Sequence, residues 1–354
     1  MKFSTNKGKF ETIIASMQPF LEKKDLSAIT SHIYLEVSND ILTIKSTDYE
    51  MGLLANIEEI QSIEEGKATV NGSNLLNIIR RLKNEDINFE VIDNNLQIKQ
   101  NKTSFKLPMY DANEYPEFPN MDKLHKVDIN ILNFIAGIKN ITPAIDNNNP
   151  KFELNGALID IKEDKINFVS TDTRRLAVSK IENINNKPNQ MLVPKKAIIE
   201  IQKLFFDDCE IKYDDVNLVV KNKNYFFFTK LINGKFPDYA RILPNNLKIN
   251  VKLNKNLFID AIKLITSLKP NIKLTFKPNG IIFESLDEDN EAKTQIEEKL
   301  DIPEAFHFAV NSKYLLDFLS TSNHEKFEIG FNETKLPFAL KDNNFTTIIM
   351  PVIL

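Results

Sequence analysis

Apolar residues recur along this chain in two rhythms, one of helical and one of strand spacing, and the order of the rhythms repeats three times. A helix-like pattern opens each third, as FETIIASMQPFL at 10–21, ILNFIAGIKNI at 131–141 and LFIDAIKLITSL at 257–268. Paired period-two segments follow at 32–48, 156–172 and 272–287; in the first, Ile33, Leu35 and Val37 alternate with other residues, as do Leu42 and Ile44. The polar breaks Ser38-Asn39-Asp40, Glu163-Asp164 and Pro278-Asn279-Gly280 read as hairpin turns. A second helical run comes next at 73–83, 194–204 and 311–320, with Leu75, Ile78, Ile79 and Leu82 on one face of the first. Ser73, Pro194 and Asn311 occupy cap or first-turn positions, and each run is followed by another alternating hairpin.

The shared order of helix, strands, helix, strands, offset by about 115–125 residues, predicts an α+β chain of three tandem repeats. The expected domains are 1–122, 127–243 and 246–354, with linkers in the stretches 108–122 and 236–246. The triplet Ser-Thr-Asp occurs at 46–48 and again 124 residues later at 170–172. It marks either equivalent strand ends in sister domains or, with the arginines that follow the second copy, part of an active site.

Composition narrows the choice. At 354 residues the chain exceeds one ordinary core, and 42% hydrophobic with 27% charged residues suits a soluble globular protein. Nine glycines leave little material for nucleotide-wrapping loops. The single Cys209 has no intramolecular disulfide partner and fits a reduced, cytoplasmic setting. The N-terminus lacks the apolar region of a signal peptide, and no stretch approaches the roughly 18 apolar residues of a membrane span, so no membrane partner is expected.

Catalytic signatures are missing. Gly234-Lys235 lacks the upstream glycine and following hydroxyl of a phosphate loop, and neither G-x-S-x-G nor H-E-x-x-H occurs. His32, His125, His307 and His324 are scattered, without metal-ligand spacing. The acidic run 287–291 lacks the glycine of a calcium loop, and Asp48 with Glu50 has no accompanying nucleophile. A non-catalytic protein is expected, with no cofactor and no metal. The alternatives are a nucleic-acid-processing enzyme using Asp48, Asp172 and nearby arginines, and a peptide-binding scaffold that does not encircle DNA.

Charge is unevenly divided. The six helix-like segments carry a net +8 against −4 for the whole chain, leaving −12 elsewhere. That partition suits helices facing a polyanion, and it equally suits amphipathic helices with exposed lysines. No helix offers the Asn/Gln/Arg cluster that reads base edges, so DNA contact would be to the phosphate backbone.

The run STDYEM at 46–51, the LNG at 154–156, STDTRRLAVSK at 170–180, LVPKKAIIEI at 192–201, KLINGKFPDYARILP at 230–244 and the terminal MPVIL at 350–354 closely resemble the bacterial sliding clamps, the beta subunits of DNA polymerase III. The resemblance spans the whole chain. It implies a head-to-tail homodimer closing a six-domain ring, with helices on the inner wall, sheets outside and duplex DNA encircled without sequence preference. It further implies a processivity factor that docks the polymerase III alpha subunit, the clamp loader, other polymerases and repair proteins through short peptides.

Matched position by position, the implied peptide pocket draws on Leu154, Thr171, Thr173, Arg174, Arg175 and Leu176 from the second domain. Pro237, Arg241 and Ile242 come from the linker, and Ile348, Ile349, Met350, Pro351, Val352 and Leu354 from the C-terminus. Leu154, Leu176, Ile242, Met350 and Val352 would line an apolar cleft, with Arg175 and Arg241 at its rim. Lys24, Asn148, Lys195 and Lys196 match DNA-facing positions, and Arg80 and Arg81 join them on charge. Phe105 and Leu107 would meet the partner's Leu268 region across the ring joint. This chain has Thr173-Arg174 where many relatives have Gly-His, and Ile353 where a basic residue often stands; both leave the peptide preference open.

Overall fold

The structure, a computed structural model, describes the chain apart from residues 26, 59, 245, 267, 268, 287–290 and 354. The expected Leu268 contact, the Leu354 pocket position and most of the acidic run at 287–291 lie outside the described residues.

Six α-helices are present among the described residues: α1 (Lys7–Met17), α2 (Gly72–Arg81), α3 (Ile131–Ile141), α4 (Lys195–Leu204), α5 (Lys255–Ile265) and α6 (Ser312–Thr321). The first ends short of its predicted limit because Pro19 follows; the chain tightens into a 3₁₀ turn over Gln18–Phe20 instead. Five helices begin on an asparagine whose side-chain oxygen accepts from first-turn backbone N–H groups: Asn6, Asn71, Asn130, Asn254 and Asn311. Asn71 is therefore the cap of α2, and Ser73 lies in its first turn. None of the described helices is long and apolar enough to cross a membrane.

By contacts the chain divides into two compact units. One comprises Met1–Val127 with Lys203–Leu231, the other Asp128–Gln202 with Ile232–Leu354. In the first unit a five-stranded antiparallel sheet runs in the order Gln61–Glu64, Lys2–Asn6, Asp86–Ile92, Asn95–Gln100, Thr103–Pro108. Its second sheet has eight strands, ordered His125–Val127, Glu210–Tyr213, Asn217–Lys221, Tyr225–Lys230, Met51–Ile57, Ile41–Thr47, His32–Ser38, Gly66–Asn71. The second unit repeats the plan. Its eight-stranded sheet is ordered Asn189–Pro194, Gly156–Ile161, Lys165–Thr171, Arg175–Glu182, Phe345–Ile349, Phe338–Asp342, Lys326–Phe331, Ile249–Asn254. A four-stranded sheet follows the order Lys293–Glu297, Gly280–Ser285, Asn271–Lys277, Phe306–Asn311.

Each eight-stranded sheet is shared by two successive repeats. Met51–Ile57 pairs with Tyr225–Lys230, and Arg175–Glu182 pairs with Phe345–Ile349, all antiparallel. Two-residue periodicity identifies which face of a strand is buried, but it carries no information on which distant strand lies alongside. The predicted turn at Asn39-Asp40 has positive φ at both residues (50° and 60°), as a tight hairpin with right-handed strand twist requires. Aromatic side chains fill the layer between sheets and helices: Phe3 stacks on Phe89 at 4.8 Å, and Phe258 meets Phe283 and Phe327 edge-on at 5.0 and 5.2 Å. α1 packs on α2, and α5 on α6.

Candidate functional site

The two Ser-Thr-Asp copies form the same turn. Thr47 Oγ1 donates to the Met51 carbonyl at 2.8 Å, and Thr171 Oγ1 to the Arg175 carbonyl at 2.7 Å. Asp48 accepts from the backbone N–H of Glu50 and Met51, and Asp172 from those of Arg174 and Arg175. Tyr49 and Thr173 take the same left-handed conformation, with φ of 69° and 72°. The preceding serines tie each turn to a helix end, Ser46 Oγ to the Met17 carbonyl and Ser170 Oγ to the Ile141 carbonyl. These groups satisfy backbone donors, so the triplet is architecture.

Only in the second copy does the next residue extend the network. Arg175 is buried, its side chain 4% exposed. Its Nε donates to Asp172 Oδ2 at 3.0 Å, Nη1 to Asp317 Oδ2 of α6 at 2.7 Å and Nη2 to the Pro143 carbonyl, while the guanidinium sits 4.5 Å from the Tyr314 ring centroid. Burial first, then the Asp172 charge, raises the Tyr314 phenol above its ordinary range. The sequence expectation placed Arg175 at the cleft rim; instead it clasps the turn to the helical layer, its donors engaged internally. The cause is strand alternation. Arg175 pairs with Ile349 and Leu176 with Ile348, so the first pair faces the helices and the second the opposite face. Ile349, fully buried, is likewise withdrawn from the cleft it was expected to line.

On the opposite face, Leu154, Leu158, Val169, Leu176, Val178, Leu192, Ala339 and Ile348 form one apolar cluster together with Phe236 of the linker. Ile232, Tyr239, Leu243 and Leu247 pack against it, so the linker lies along the sheet. A polar latch fixes it there: Tyr239 Oη donates to Asp160 Oδ2 at 2.6 Å. Asp160, 1% exposed, also accepts from Gln190 Nε2 at 2.9 Å and meets Lys162 Nζ at 3.2 Å. Burial and then the bond to Asp160 raise the Tyr239 phenol, keeping it a donor. The latch was not anticipated from the sequence, where the only signal was a lone acid inside the apolar strand GALIDI.

Around this floor stand exposed groups. Ile242 is 48% and Met350 45% exposed, large values for apolar side chains beside a formed core. Pro237, Thr173 and Arg174 are exposed, Pro351 and Val352 half-buried. Arg241 is 86% exposed and pairs with Asp238 at 2.8 Å. The tail is held by backbone bonds, Met350 N–H to the Arg174 carbonyl and Val352 N–H to the Ala309 carbonyl. Exposed apolar side chains of the linker and the tail thus stand beside a buried apolar cluster, with the exposed Arg241 among them, and a short peptide with one or two apolar anchors would suit such a surface.

The other expected positions divide. Lys24, Arg80, Arg81, Asn148 and Lys196 are exposed. Lys195 is instead turned onto the 145–147 loop, donating to the Ile145 carbonyl at 2.6 Å and Asn147 Oδ1 at 2.7 Å; burial draws its ammonium below the ordinary lysine range. The six helices carry net +7 over their observed spans. Phe105 and Leu107 share one face of the edge strand Thr103–Pro108 and line a hollow of about 230 Å³ with Asn74, Asn77, Ile78 and Arg81. Arg81 therefore belongs with the strand edge as much as with the exposed basic set.

Three domains of the DNA polymerase III beta subunit match this chain in order: the N-terminal domain at 1–120, the central domain at 128–238 and the C-terminal domain at 240–353. A beta sliding clamp of Helicobacter pylori (strain ATCC 700392 / 26695) is 39% identical over 374 residues, covering 100% of both chains. The crystal structure of the Helicobacter pylori beta clamp bound to a DNA ligase peptide superposes with a TM-score of 0.93 at 40% identity, over 100% of each chain. The sliding clamp of Bacillus subtilis shares the fold, with a TM-score of 0.93 at 21% identity over 100% of this chain and 99% of that one. By its repeats, its linker-covered cleft and these full-length matches, the chain belongs to the bacterial beta sliding clamps, the DNA polymerase III beta subunit family.

Proposed function

We infer that the protein is a DNA sliding clamp, a homodimeric ring that encircles duplex DNA, gives the replicative polymerase its processivity and docks partners through peptides. It acts without catalysis of its own, in the cytoplasm. The polymerase III alpha subunit, the clamp loader, other polymerases and repair proteins compete for the cleft between linker and sheet.

The observation that carries the docking reading is the buried Leu176–Ile348 cluster, covered by a linker and a tail that continue into the exposed Ile242 and Met350. Leu154, Leu176 and Ile348 supply the apolar base. Thr171, Thr173, Arg174, Pro237, Arg241, Ile242, Met350, Pro351 and Val352 supply its walls, and Arg175 acts from beneath by holding the turn. Ring closure is supported by two open sheet edges, Thr103–Pro108 with Phe105 and Leu107, and Lys293–Glu297, which would pair between subunits. DNA holding rests on topology and on the basic helix surfaces with Lys24, Arg80, Asn148 and Lys196, so little intrinsic affinity is needed.

Light scattering should give about twice the 40.7 kDa chain mass. Loaded protein should stay on circular DNA and run off after linearisation; equal retention on both forms would refute the topological mechanism. A leucine/phenylalanine-containing clamp-binding peptide should bind, and Ile242→Glu, at an exposed wall residue, should abolish that binding while the dimer persists.

A further inference from the structure

The junction of the first and second repeats contains a sister of the peptide cleft. The register is the same. Gly52, five residues after the turn threonine Thr47, pairs with Phe228, just as Leu176, five after Thr171, pairs with Ile348. The lip is the same as well: Lys230 N–H donates to the Glu50 carbonyl at 2.7 Å, as Met350 N–H does to the Arg174 carbonyl at 2.9 Å. Tyr49, 54% exposed, stands at the Thr173 position with the same left-handed backbone.

The contents differ. Where the open cleft has Leu176, with the linker's Phe236 packed in the same cluster, the sister has glycine, and the rings of Phe118 and Phe228 occupy the space directly over it. Phe118, from the first linker, lies edge-on to Phe228 at 4.9 Å and 6.1 Å from Phe226. A Cβ added at Gly52 would fall inside the Phe228 ring's van der Waals envelope and 2.9 Å from Phe118 Cζ. Gly52 is thus a seat for rings, and a side chain there would displace them.

We propose that this junction is a second peptide cleft closed in cis, with Phe118 standing where the apolar anchor of an incoming leucine- or phenylalanine-containing peptide would stand. The chain accordingly offers one open docking cleft instead of two. The proposal rests on the peptide-docking reading of the Leu176–Ile348 cleft. Truncating Phe118 vacates a preformed site lined by Phe226, Phe228 and the Gly52 backbone, of the kind that stays apolar and accepts a fitting hydrophobic group.

The test is calorimetric titration of the full-length dimer with one leucine/phenylalanine-containing clamp-binding peptide. Wild type should take one peptide per chain, Phe118→Ala two, and Phe118→Ala combined with Ile242→Glu, a change at an exposed wall residue that leaves the buried cluster intact, one, through the vacated cleft. If Phe118→Ala does not fold, judged by its melting transition, Phe118→Val keeps an apolar contact on Phe228 and is titrated in its place. One peptide per chain in the folded single variant, or none in the double variant, overturns the proposal while leaving the docking reading intact. No binding by wild type overturns both.

Discussion

Tyr239 Oη lies 2.6 Å from Asp160 Oδ2, joining the linker to a carboxylate that is 1% exposed on the strand next to the sheet's edge. Two further groups, Gln190 Nε2 and Lys162 Nζ, complete the shell of that buried charge. The arrangement makes the linker part of the sheet's own polar bookkeeping, so the wall bearing Arg241 and Ile242 is positioned by tertiary contacts and not by its short 3₁₀ turn over Tyr239–Arg241 alone.

Tyr239→Phe removes one donor from Asp160 while keeping the ring. It should lower stability by about 1–2 kcal/mol, the usual consequence of removing one partner from a buried acceptor that retains others. Peptide affinity should fall several-fold in the same variant because the linker wall is less fixed. Thermal melts and a peptide titration read the two effects separately.

Arg175→Met should be more damaging, with a loss of about 3 kcal/mol. It leaves the carboxylates of Asp172 and Asp317 facing each other across a site from which their shared cation has gone. Lys313, already 2.7 Å from Asp317, offers partial compensation, so Asp317→Asn in the same background should recover part of the loss. Urea unfolding of the single and double variants measures the coupling.

Gly52→Ala should destabilise by about 1–3 kcal/mol through overpacking against Phe228 and Phe118. Combining it with Phe118→Leu should relieve part of that loss, a non-additivity that chemical denaturation would reveal.

His32 sets an acid limit. It is 5% exposed, lies tilted 4.4 Å from the Tyr110 ring, and burial depresses its pKa from 6.5 to about 4. The unfolded chain therefore binds a proton between those values that the folded chain refuses. This contribution to stability is fully present above pH 6.5 and is lost as pH falls from 6.5 towards about 4, with a slope of at most about 1.4 kcal/mol per pH unit. His32→Phe should flatten that part of the profile in a pH series of urea melts.

On DNA, Arg80→Gln should lower the slope of log affinity against log salt by about 1 for each phosphate contact removed. Lys195→Gln should change that slope less, since its ammonium is held by the Ile145 carbonyl and Asn147, and should instead lower thermal stability. Binding isotherms at several salt concentrations distinguish the two.

The sequence by itself determined the local order: six amphipathic helices, the hairpins after them and the repetition of both, because side-chain periodicity reports directly which face of an element is buried. It also made the Ser-Thr-Asp repeat visible, since a turn that satisfies its own backbone donors needs those side chains wherever it recurs. Family motifs pointed to the residues around which the cleft is proposed. What only the tertiary structure decided is which atoms face it. Pairing of Arg175–Glu182 with the C-terminal strand sends Leu176 and Ile348 to one side and Arg175 and Ile349 to the other. That one-residue alternation turned an expected rim arginine into a buried clasp, while the bond from Tyr239 made a lone acid in an apolar strand the anchor of the linker. Such outcomes depend on register and packing between segments 79 or more residues apart, which no local pattern encodes.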